Sequence, residues 1–262
     1  MTRPLALLSN DDGYFSRGLR AVREALSVWA DVVVVAPETE QSASSHALSL
    51  SKPLRIRRVD EGAFAIDGTP ADCVYVALCA GTRLLPRRPD VVVSGINRGM
   101  NLGQDVFYSG TVAAAREAAL RDIPSLATSA HVTADLAAVA LLASDLASDL
   151  IDRARGETTP VLLNLNVPEK WTGELRAART GRRLYEDMVE FREDPRGRDY
   201  IWLGGSGGVR HDPDPGSDTE AYDAGAASLT RLSLDLTSTG DTISTDLVLA
   251  SASPRSARTR KG

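Results

Sequence analysis

The first half of the chain alternates short, uninterrupted runs of aliphatic residues with longer segments in which apolar residues recur every three or four positions. The runs at 5–9, 31–37 and 89–95 are centred on Leu, Val and Ala, which is typical of strands buried on both faces of a parallel sheet. The segment 18–26 between the first two runs keeps helical spacing. This alternation predicts βαβ units, in which a helix connects neighbouring parallel strands.

The same patterns predict further elements downstream. Alternating residues at 54–58 and 63–66 predict an antiparallel strand pair, and Thr69 followed by Pro70 is a favourable helix start. We therefore predict an α/β fold with a Rossmann-like, mostly parallel sheet flanked by helices. The remaining predicted strands lie at 124–128, 161–166 and 229–236, and the remaining helices at 112–120, at 133–155 and from 218 onward.

The character of the sequence changes at about Trp171. Charged residues, arginine above all, dominate as far as Asp199, and a loop rich in Gly, Asp and Pro follows. We predict a Rossmann-like core over 1–170 that carries the site, a β-rich C-terminal extension over 171–250, and a disordered basic tail over 251–262. The arginine-rich segment 176–198 shapes either a subunit interface or the mouth of a site, and the sequence leaves both alternatives open.

The composition is that of an ordinary globular protein, with 43% hydrophobic and 25% charged residues. A net charge of −5 provides no global basic field that would favour a nucleic-acid polymer as partner. No apolar run approaches the ~20 residues of a membrane span, and the first strand is too short for the apolar core of a signal peptide. The only cysteines, Cys73 and Cys79, have neither zinc nor disulfide spacing, and we predict buried thiols in a cytoplasmic protein.

Two adjacent carboxylates, Asp11 and Asp12, end the first strand and are followed by Gly13. Successive side chains of an extended strand point to opposite faces, so a turn is needed to bring both carboxylates to one place. Two carboxylates a few ångströms apart repel each other unless a proton or a cation lies between them. Their hard oxygen atoms suit Mg²⁺, Mn²⁺ or Ca²⁺. The alternative interpretation is a solvated turn rich in Asp and Asn.

Three polar loops follow three of the predicted parallel strands, so they lie at the same edge of the sheet. Together they offer carboxylates, a hydroxyl from Ser42 and an amide oxygen from Asn97. This all-oxygen set leaves positions for water and substrate, as a catalytic Mg²⁺ or Mn²⁺ requires, and no matching set of His and Cys suits zinc. The loops lie at 10–13, 38–46 and 95–111.

The last of these loops ends in Tyr108-Ser109-Gly110-Thr111, directly before a predicted helix. Backbone N–H groups and hydroxyls at a helix start bind anions, with support from the helix dipole. The simpler alternative is an ordinary N-cap with a tight turn. A cation beside an anion-binding helix start predicts hydrolysis of a phosphate ester, in which water attacks a phosphorus atom polarised by the metal.

These motifs resemble the survival protein SurE family, the stationary-phase survival nucleotidases, over nearly the whole chain. The order and spacing of the motifs make the resemblance far more specific than a single glycine motif. The matching motifs are SNDDG at 9–13, VAP at 35–37, QSA at 41–43, DGTPAD at 67–72, SGINRG at 94–99, NLG at 101–103, YSGT at 108–111, NLNVP at 164–168, SDTEA at 217–221 and LDLT at 234–237.

The resemblance implies a metal-dependent phosphomonoesterase acting on nucleoside 5′- and 3′-monophosphates, sometimes also on short polyphosphate. It implies one divalent ion per subunit, Mg²⁺ or Mn²⁺, and a C-terminal extension exchanged between the subunits of a homodimer or homotetramer. The catalytic residues would be Asp11, Asp12 and Asn97, with either aspartate orienting the water. The implied metal ligands are Asp11, Asp12, Ser42 and Asn97, and the implied phosphate contacts are Asn101, Ser109, Gly110 and Thr111.

The chain departs from the family pattern at two positions. Ala43 replaces a glycine that often follows the serine ligand, which bears on the conformation of that loop and on substrate fit. Arg231 replaces a proline common in the C-terminal strand region. In the same loop as Ala43, His46 is either the acid that protonates the leaving alcohol or a residue that contacts substrate or another subunit.

Alternative functions can also be tested against the sequence. A receiver-like regulatory module has adjacent acids after its first strand, but it needs an aspartate ending the third parallel strand, where this chain has Ser94 and Gly95. A haloacid-dehalogenase-type phosphatase would need Asp-x-Asp after the first strand, which this chain lacks. A non-catalytic nucleotide-binding module remains an alternative.

Overall fold

The structure is a computed structural model that describes residues 3–186, 189–204 and 208–237. Residues 233–237 belong to a compact unit separate from the one that ends at Leu232. Among them, the Thr237 amide donates a hydrogen bond to the Asp235 carboxylate at 2.8 Å. The helices are α1 Arg17–Leu26, α2 Pro70–Cys79, α3 Gly110–Ala119, α4 Leu136–Ala154 and α5 Asp218–Asp223. The strands are β1 Leu5–Ser9, β2 Asp31–Pro37, β3 Ile56–Asp60, β4 Ala63–Ile66, β5 Val91–Arg98, β6 Ser125–Ala130, β7 Leu162–Val167, β8 Leu175–Ala178, β9 Arg183–Tyr185, β10 Val189–Glu193, β11 Asp199–Leu203, β12 Val209–His211 and β13 Ala227–Leu232.

A nine-stranded sheet has the order β3-β4-β2-β1-β5-β6-β7-β13-β8. The six strands from β4 to β7 are parallel to one another, whereas β3 is antiparallel to β4 and β13 is antiparallel to β7. The predicted mostly parallel α/β fold is therefore confirmed, together with the predicted antiparallel pair. Because β1 lies between β2 and β5, the direction of strand addition reverses at β1, and open sheets of this kind bind ligands at such a point.

Helices cover both faces of the sheet. Ala6 and Leu8 of β1 pack in a core cluster shared with α1 and α4, whereas Leu5 and Leu7 pack in a second cluster shared with α2 and α3. This division follows from the alternation of side chains along a strand, and it explains why β1 is apolar at every position up to Leu8. With both faces covered, the loops at the carboxyl edge are the accessible part of the sheet.

Strand β5 runs further than the sequence predicts. The hydrophobic pattern places its end at Gly95, but the strand continues to Arg98, with a shift of register against β6 between Ser94 and Asn97. Gly95 has a φ of 133°, and a Cβ there would lie 2.3 Å from the carbonyl oxygen of Thr128. Only glycine permits this close approach, so Asn97 and Arg98 extend from the end of a strand rather than from a free loop.

Other element boundaries also differ from the prediction, most of all those of α4 and β13. Helix α4 begins at Leu136 rather than at 133, because the Asp135 carboxylate accepts a hydrogen bond from the amide of Ala137 at 2.9 Å and caps the helix. Strand β13 begins and ends earlier than the predicted 229–236. Its register is set by antiparallel pairing with β7, which the local alternation does not reveal.

The two cysteines both lie on α2 and are free thiols. Cys73 is buried, but Cys79, the last residue of the helix, is exposed, so the prediction of two buried thiols is wrong for Cys79. Within residues 3–186, 189–204 and 208–237, the structure contains no helix that is long and apolar enough to cross a membrane.

The region predicted as a C-terminal extension contributes strands in three places. β13 pairs with β7 and β8 at one edge of the main sheet, β10 and β11 form an antiparallel hairpin, and β9 pairs with β12. At the start of β9, the amide of Arg183 donates to the side-chain oxygen of Gln104 at 3.0 Å. The domain boundary at residue 170 stays a prediction, and the predicted tail at 251–262 lies outside the described residues.

Candidate active site

The turn after β1 is held by its own side chains. The Asn10 side-chain amide donates to the carbonyl of Gly13 at 3.0 Å and to the hydroxyl of Ser16 at 2.8 Å. Gly13 has a φ of 90°, a conformation that favours glycine. The turn therefore places Asp11 and Asp12 at the carboxyl end of β1, beside the end of β5.

Asp11 is a buried carboxylate, with 5% of its surface exposed. Burial raises the pKa of Asp11 to about 6, against the hydrogen bond that its Oδ1 accepts from the Thr111 hydroxyl, while the charge of Asp12 adds to the rise. A carboxylate in such surroundings is costly to ionise without a positive partner. The position therefore favours either a proton or a cation.

Asp12 shares this negatively charged environment. Burial raises the pKa of Asp12, a hydrogen bond donated by the backbone amide of Arg98 at 3.2 Å lowers it, and the charge of Glu40 raises it. Glu40 was not among the residues that the sequence singled out. Glu40 brings a third carboxylate close to Asp12.

Ser42 and Asn97 each use a side-chain hydrogen in a bond to a neighbouring acceptor, which leaves their side-chain oxygens able to bind another partner. The Ser42 hydroxyl donates to Oε1 of Glu40 at 2.6 Å, and the side-chain amide of Asn97 donates to the carbonyl of Gly99 at 2.9 Å. The hydroxyl oxygen of Ser42 and Oδ1 of Asn97 keep lone pairs for another partner.

The side-chain oxygens of Asp11, Asp12, Ser42 and Asn97 are suitable ligands for a divalent cation such as Mg²⁺ or Mn²⁺. Carboxylate, hydroxyl and amide oxygens are its usual ligands, and a cation would offset the cost of burying Asp11 beside Asp12. No three His, Cys, Asp or Glu side chains form a metal-binding group among the described residues. An ion held here would therefore depend on Ser42 and Asn97 as well as on the two carboxylates.

A cavity of about 310 Å³ opens at this edge of the sheet. It brings together five of the predicted site residues, whereas Asp12, Gly110 and Thr111 are not on its wall. A larger groove of about 770 Å³ adjoins it at Asn97 and Arg98 and is lined by α1 and α4. The wall of the smaller cavity consists of Asp11, Ser42, Ala43, Asn97, Arg98, Met100, Asn101, Asp105, Tyr108, Ser109 and Tyr185.

The start of α3 meets Asp11 directly. Ser109 caps the helix by accepting a hydrogen bond from the amide of Val112 at 3.1 Å, and it also lies on the cavity wall. The Thr111 hydroxyl donates to Asp11, and Thr111 is fully buried. Thr111 therefore holds the Asp11 carboxylate in place, and its predicted contact with phosphate stays a prediction.

A buried network of asparagines positions Asn101. Its backbone amide donates to Oδ1 of Asn166 at 2.8 Å, and its carbonyl accepts from the side chain of Asn164 at 2.8 Å. Its own side-chain amide donates to the hydroxyl of Ser129 at 2.8 Å. The motif at 164–168 thus acts through the position of Asn101 on the cavity wall.

Sequence reasoning missed Asp105 and Tyr185, which complete that wall. The Tyr185 hydroxyl donates to Oδ2 of Asp105 at 2.6 Å, and Arg183 forms an ion pair with the same carboxylate at 2.5 Å. Both Arg183 and Tyr185 come from the arginine-rich segment 176–198, part of which therefore forms the mouth of the cavity. The high arginine content of this segment was the sequence feature that indicated a role, but it does not distinguish Tyr185 from its neighbours.

His46 is anchored to helix α3. Its Nε2 lies 2.8 Å from Oε2 of Glu117, which has 3% of its surface exposed and also pairs with Arg121 at 2.6 Å. His46 is not among the described residues that line the cavity. It ties the loop carrying Ser42 to the helix whose start carries Ser109.

Asp218 is a fully buried carboxylate that holds two backbone segments together. It accepts hydrogen bonds from the amides of Gly103 at 2.9 Å and Gly181 at 2.7 Å. Replacement with alanine leaves both amides unpaired, so we expect Asp218→Ala to lower the free energy of unfolding by about 1–3 kcal/mol. Asp218→Asn keeps one acceptor and should lose less. Urea denaturation measures both, and an Asp218→Ala protein as stable as the wild type would contradict this role.

Ala43, one of the two departures from the family pattern, has a φ of 55°, in the left-handed region that favours glycine. We expect Ala43→Gly to change the free energy of unfolding by no more than about 1 kcal/mol. Ala43→Val should be destabilising, because a β-branched side chain is strained at positive φ. Thermal denaturation compares the pair, and equal melting temperatures for the two variants would contradict the strain.

Comparisons with known proteins agree on one family. The family model described as "Survival protein SurE" matches residues 6–187. A 5′-nucleotidase SurE of Sorangium cellulosum is 61% identical over 236 residues, covering 89% of this chain and 91% of that protein, and one of Anaeromyxobacter dehalogenans is 50% identical over 220 residues, covering 82% and 84%. The crystal structure of the SurE protein from Aquifex aeolicus superimposes with a TM-score of 0.73 at 37% identity, covering 89% of this chain and 95% of that one.

Proposed function

Because the chain belongs to the survival protein SurE family, we propose that it is a metal-dependent phosphomonoesterase that hydrolyses nucleoside 5′- and 3′-monophosphates, and also short polyphosphate. The relatives from Sorangium and Anaeromyxobacter are named as 5′-nucleotidases, which supports the 5′ activity. The 3′ and polyphosphate activities rest on the resemblance of the motifs.

The observation that carries this proposal is the position of a buried carboxylate, Asp11, against the start of helix α3 on one cavity wall. A cation held by Asp11, Asp12, Ser42 and Asn97 would bring positive charge to the place where phosphate meets the helix start. When bound, a Mg²⁺ or Mn²⁺ ion supplies charge stabilisation for phosphate oxygens and makes water a stronger nucleophile.

The chain's own residues would carry the remaining steps. Ser109 and Asn101 bind the phosphate oxygens, assisted by the backbone N–H groups at the start of α3. Asp11 or Asp12 orients the attacking water and accepts its proton, and Asn97 helps to position the reacting groups. The ester bond between phosphorus and oxygen breaks, and the nucleoside leaves as an alcohol after taking up a proton.

Phosphate release from a panel of 5′- and 3′-nucleoside monophosphates and tripolyphosphate tests the function. We expect turnover with Mn²⁺ or Mg²⁺ and its loss when EDTA removes the ion, with recovery after excess metal is added back. Binding of nucleotide without release under any metal condition would instead identify a non-catalytic nucleotide-binding module. Release that persists in EDTA would contradict the metal dependence.

We further propose a homodimer or homotetramer in which the extension at 171–250 is exchanged between subunits through its β10–β11 hairpin, whose two strands pair with each other and not with the main sheet among the described residues. In the β10–β11 hairpin, Phe191 lies opposite Ile201 and both are exposed, at 74% and 52%. Such an apolar face is costly in water and favours burial against a second copy.

The exposed free thiol of Cys79 supports a reducing compartment, and we place the protein in the cytoplasm.

A double substitution on this face, Phe191→Glu with Ile201→Glu, is expected to shift the protein toward monomer, because charged side chains resist burial. Light scattering coupled to size exclusion measures the mass, and Glu190→Gln on the other face of the hairpin is the matched control. A monomeric wild type, or a double variant with the wild-type mass, would contradict the proposed interface.

A further inference from the structure

Two tyrosines stand on a cavity wall that is otherwise mostly polar. Tyr185 is 44% exposed and Tyr108 is 65% exposed, and both line the cavity with Asp11, Asn97 and Ser109. Exposed aromatic rings beside a polar site are suited to a ligand with a flat apolar surface. The proposed roles of the metal ligands and of the phosphate contacts use neither ring.

Tyr185 is held in place from two sides. Its hydroxyl donates to Oδ2 of Asp105 at 2.6 Å, and the guanidinium of Arg183 lies over its ring, 5.3 Å from the centroid. Arg183 also pairs with Asp105 at 2.5 Å and donates to the carbonyl of Met100 at 3.3 Å. A ring fixed in this way loses little conformational freedom when a ligand stacks on it.

Tyr108 is fixed through its backbone. Its amide donates to the carbonyl of Asp105 at 3.0 Å, and its carbonyl accepts a hydrogen bond from the amide of Ser45 at 3.0 Å. It directly precedes Ser109, so its ring begins one residue from the proposed phosphate contact. The two tyrosines share Asp105, which links the side chain of one to the backbone of the other.

We propose that Tyr185 and Tyr108 form a subsite that binds the nucleoside portion of the substrate, chiefly by stacking against the base. This inference rests on the proposed nucleotidase function. A phosphate held at Asn101 and Ser109 directs the rest of the ester along the same wall, where the rings are exposed. A nucleobase is flat and aromatic, and stacking on a tyrosine ring is tolerant of base identity. The subsite therefore distinguishes nucleotides from aliphatic phosphate esters more than it distinguishes one base from another.

Steady-state kinetics with AMP and with ribose 5-phosphate test the subsite. For Tyr185→Ala we expect KM for AMP to rise about tenfold, with kcat and the KM for ribose 5-phosphate each changed by less than about twofold. Tyr185→Phe keeps the ring and should retain most of the affinity for AMP. If the alanine variant does not fold, Tyr185→Leu against Tyr185→Phe makes the same comparison between an aliphatic and an aromatic side chain.

Tyr75 provides a matched control. It is 41% exposed and lies under Arg121, whose guanidinium is 4.7 Å from the ring centroid, but it is on α2 and not on the cavity wall. Tyr75→Ala is expected to leave both KM values unchanged. An equal rise of KM for AMP and ribose 5-phosphate in Tyr185→Ala, or no rise for either, would overturn the nucleoside subsite while leaving the nucleotidase function intact.

Failure of the proposed function itself gives a different result. In that case the wild type releases no phosphate from any nucleotide, and calorimetry of AMP binding replaces kinetics. A Kd for AMP about tenfold weaker in Tyr185→Ala would still support the subsite. Equal dissociation constants for wild type and variant would overturn it.

Discussion

An Asp11→Asn enzyme is expected to release phosphate with a kcat/KM at least about 100-fold below that of the wild type. The substitution keeps the size of the side chain and an oxygen that can accept the hydrogen bond from Thr111, but it removes the negative charge beside Asp12. The same change should raise the melting temperature of metal-free protein, because a buried carboxylate near a second one destabilises the fold. Activity assays at saturating Mn²⁺ and thermal denaturation in EDTA measure the two effects.

A substitution that lowers kcat/KM but raises the melting temperature identifies a metal ligand, whereas substitution of a purely structural residue would lower both. Asp152→Asn is the control, since Asp152 is exposed on α4 and pairs with Arg155 at the surface. It should change neither quantity appreciably. Full turnover by Asp11→Asn at saturating Mn²⁺ would remove Asp11 from the catalytic role.

A Gly110→Ala substitution is expected to lower kcat by about 100-fold, through geometry alone. A Cβ at Gly110 would lie 2.9 Å from Cβ of Asp11, 2.9 Å from the hydroxyl of Ser44 and 3.0 Å from Pro70. The Asp11 side chain or the start of α3 must therefore move, and either shift separates the carboxylate from the proposed phosphate contacts. Overpacking of this kind also costs about 1–3 kcal/mol of stability.

Gly156→Ala is the matched control for this prediction, because the nearest atom to a Cβ there is the Arg153 carbonyl at 3.9 Å and the backbone is not left-handed. The control should retain wild-type kcat and melting temperature. A Gly110→Ala enzyme with wild-type kcat would show that the contact between α3 and Asp11 has room to adjust, and would contradict the tight coupling of the two.

The parallel core could be predicted because its signal is local. Strands β1 and β2 are apolar throughout their centres. Helix α2 begins at Pro70, directly after the predicted cap Thr69, and the side chains of Thr69 and Asp72 cap each other's backbone amides. Pattern and capping chemistry can be read from neighbouring residues. They therefore predict where an element begins even when its partner is unknown.

The path of β5 could not be predicted in the same way. Gly95 is typical of a turn in sequence, yet it serves a close approach to Thr128 on the neighbouring strand. That contact joins residues far apart in the chain and depends on the register between β5 and β6. As a consequence the sequence placed Asn97 on a loop, whereas the structure places it on a strand.

In the candidate site, too, the residues that could be predicted are those with a local sequence signal. Asp11, Ser42 and Asn97 could be proposed because their donors follow parallel strands, and the structure brings all three to one cavity. Tyr185 could not, since its hydrogen bond to Asp105 spans 80 positions along the chain. The sequence predicted Thr111 as a phosphate contact, whereas the structure directs its hydroxyl toward Asp11, which depends on packing that no motif contains.

Anomalous scattering from crystals grown with Mn²⁺ tests the central claim most directly. We expect one strong peak per subunit within coordination distance, roughly 2.0–2.3 Å, of oxygens from Asp11, Asp12, Ser42 and Asn97. The peak should be absent from crystals of Asp11→Asn grown under the same conditions. A peak elsewhere in the molecule, or none in an enzyme whose phosphate release depends on Mn²⁺, would contradict the assignment of these residues as the metal site.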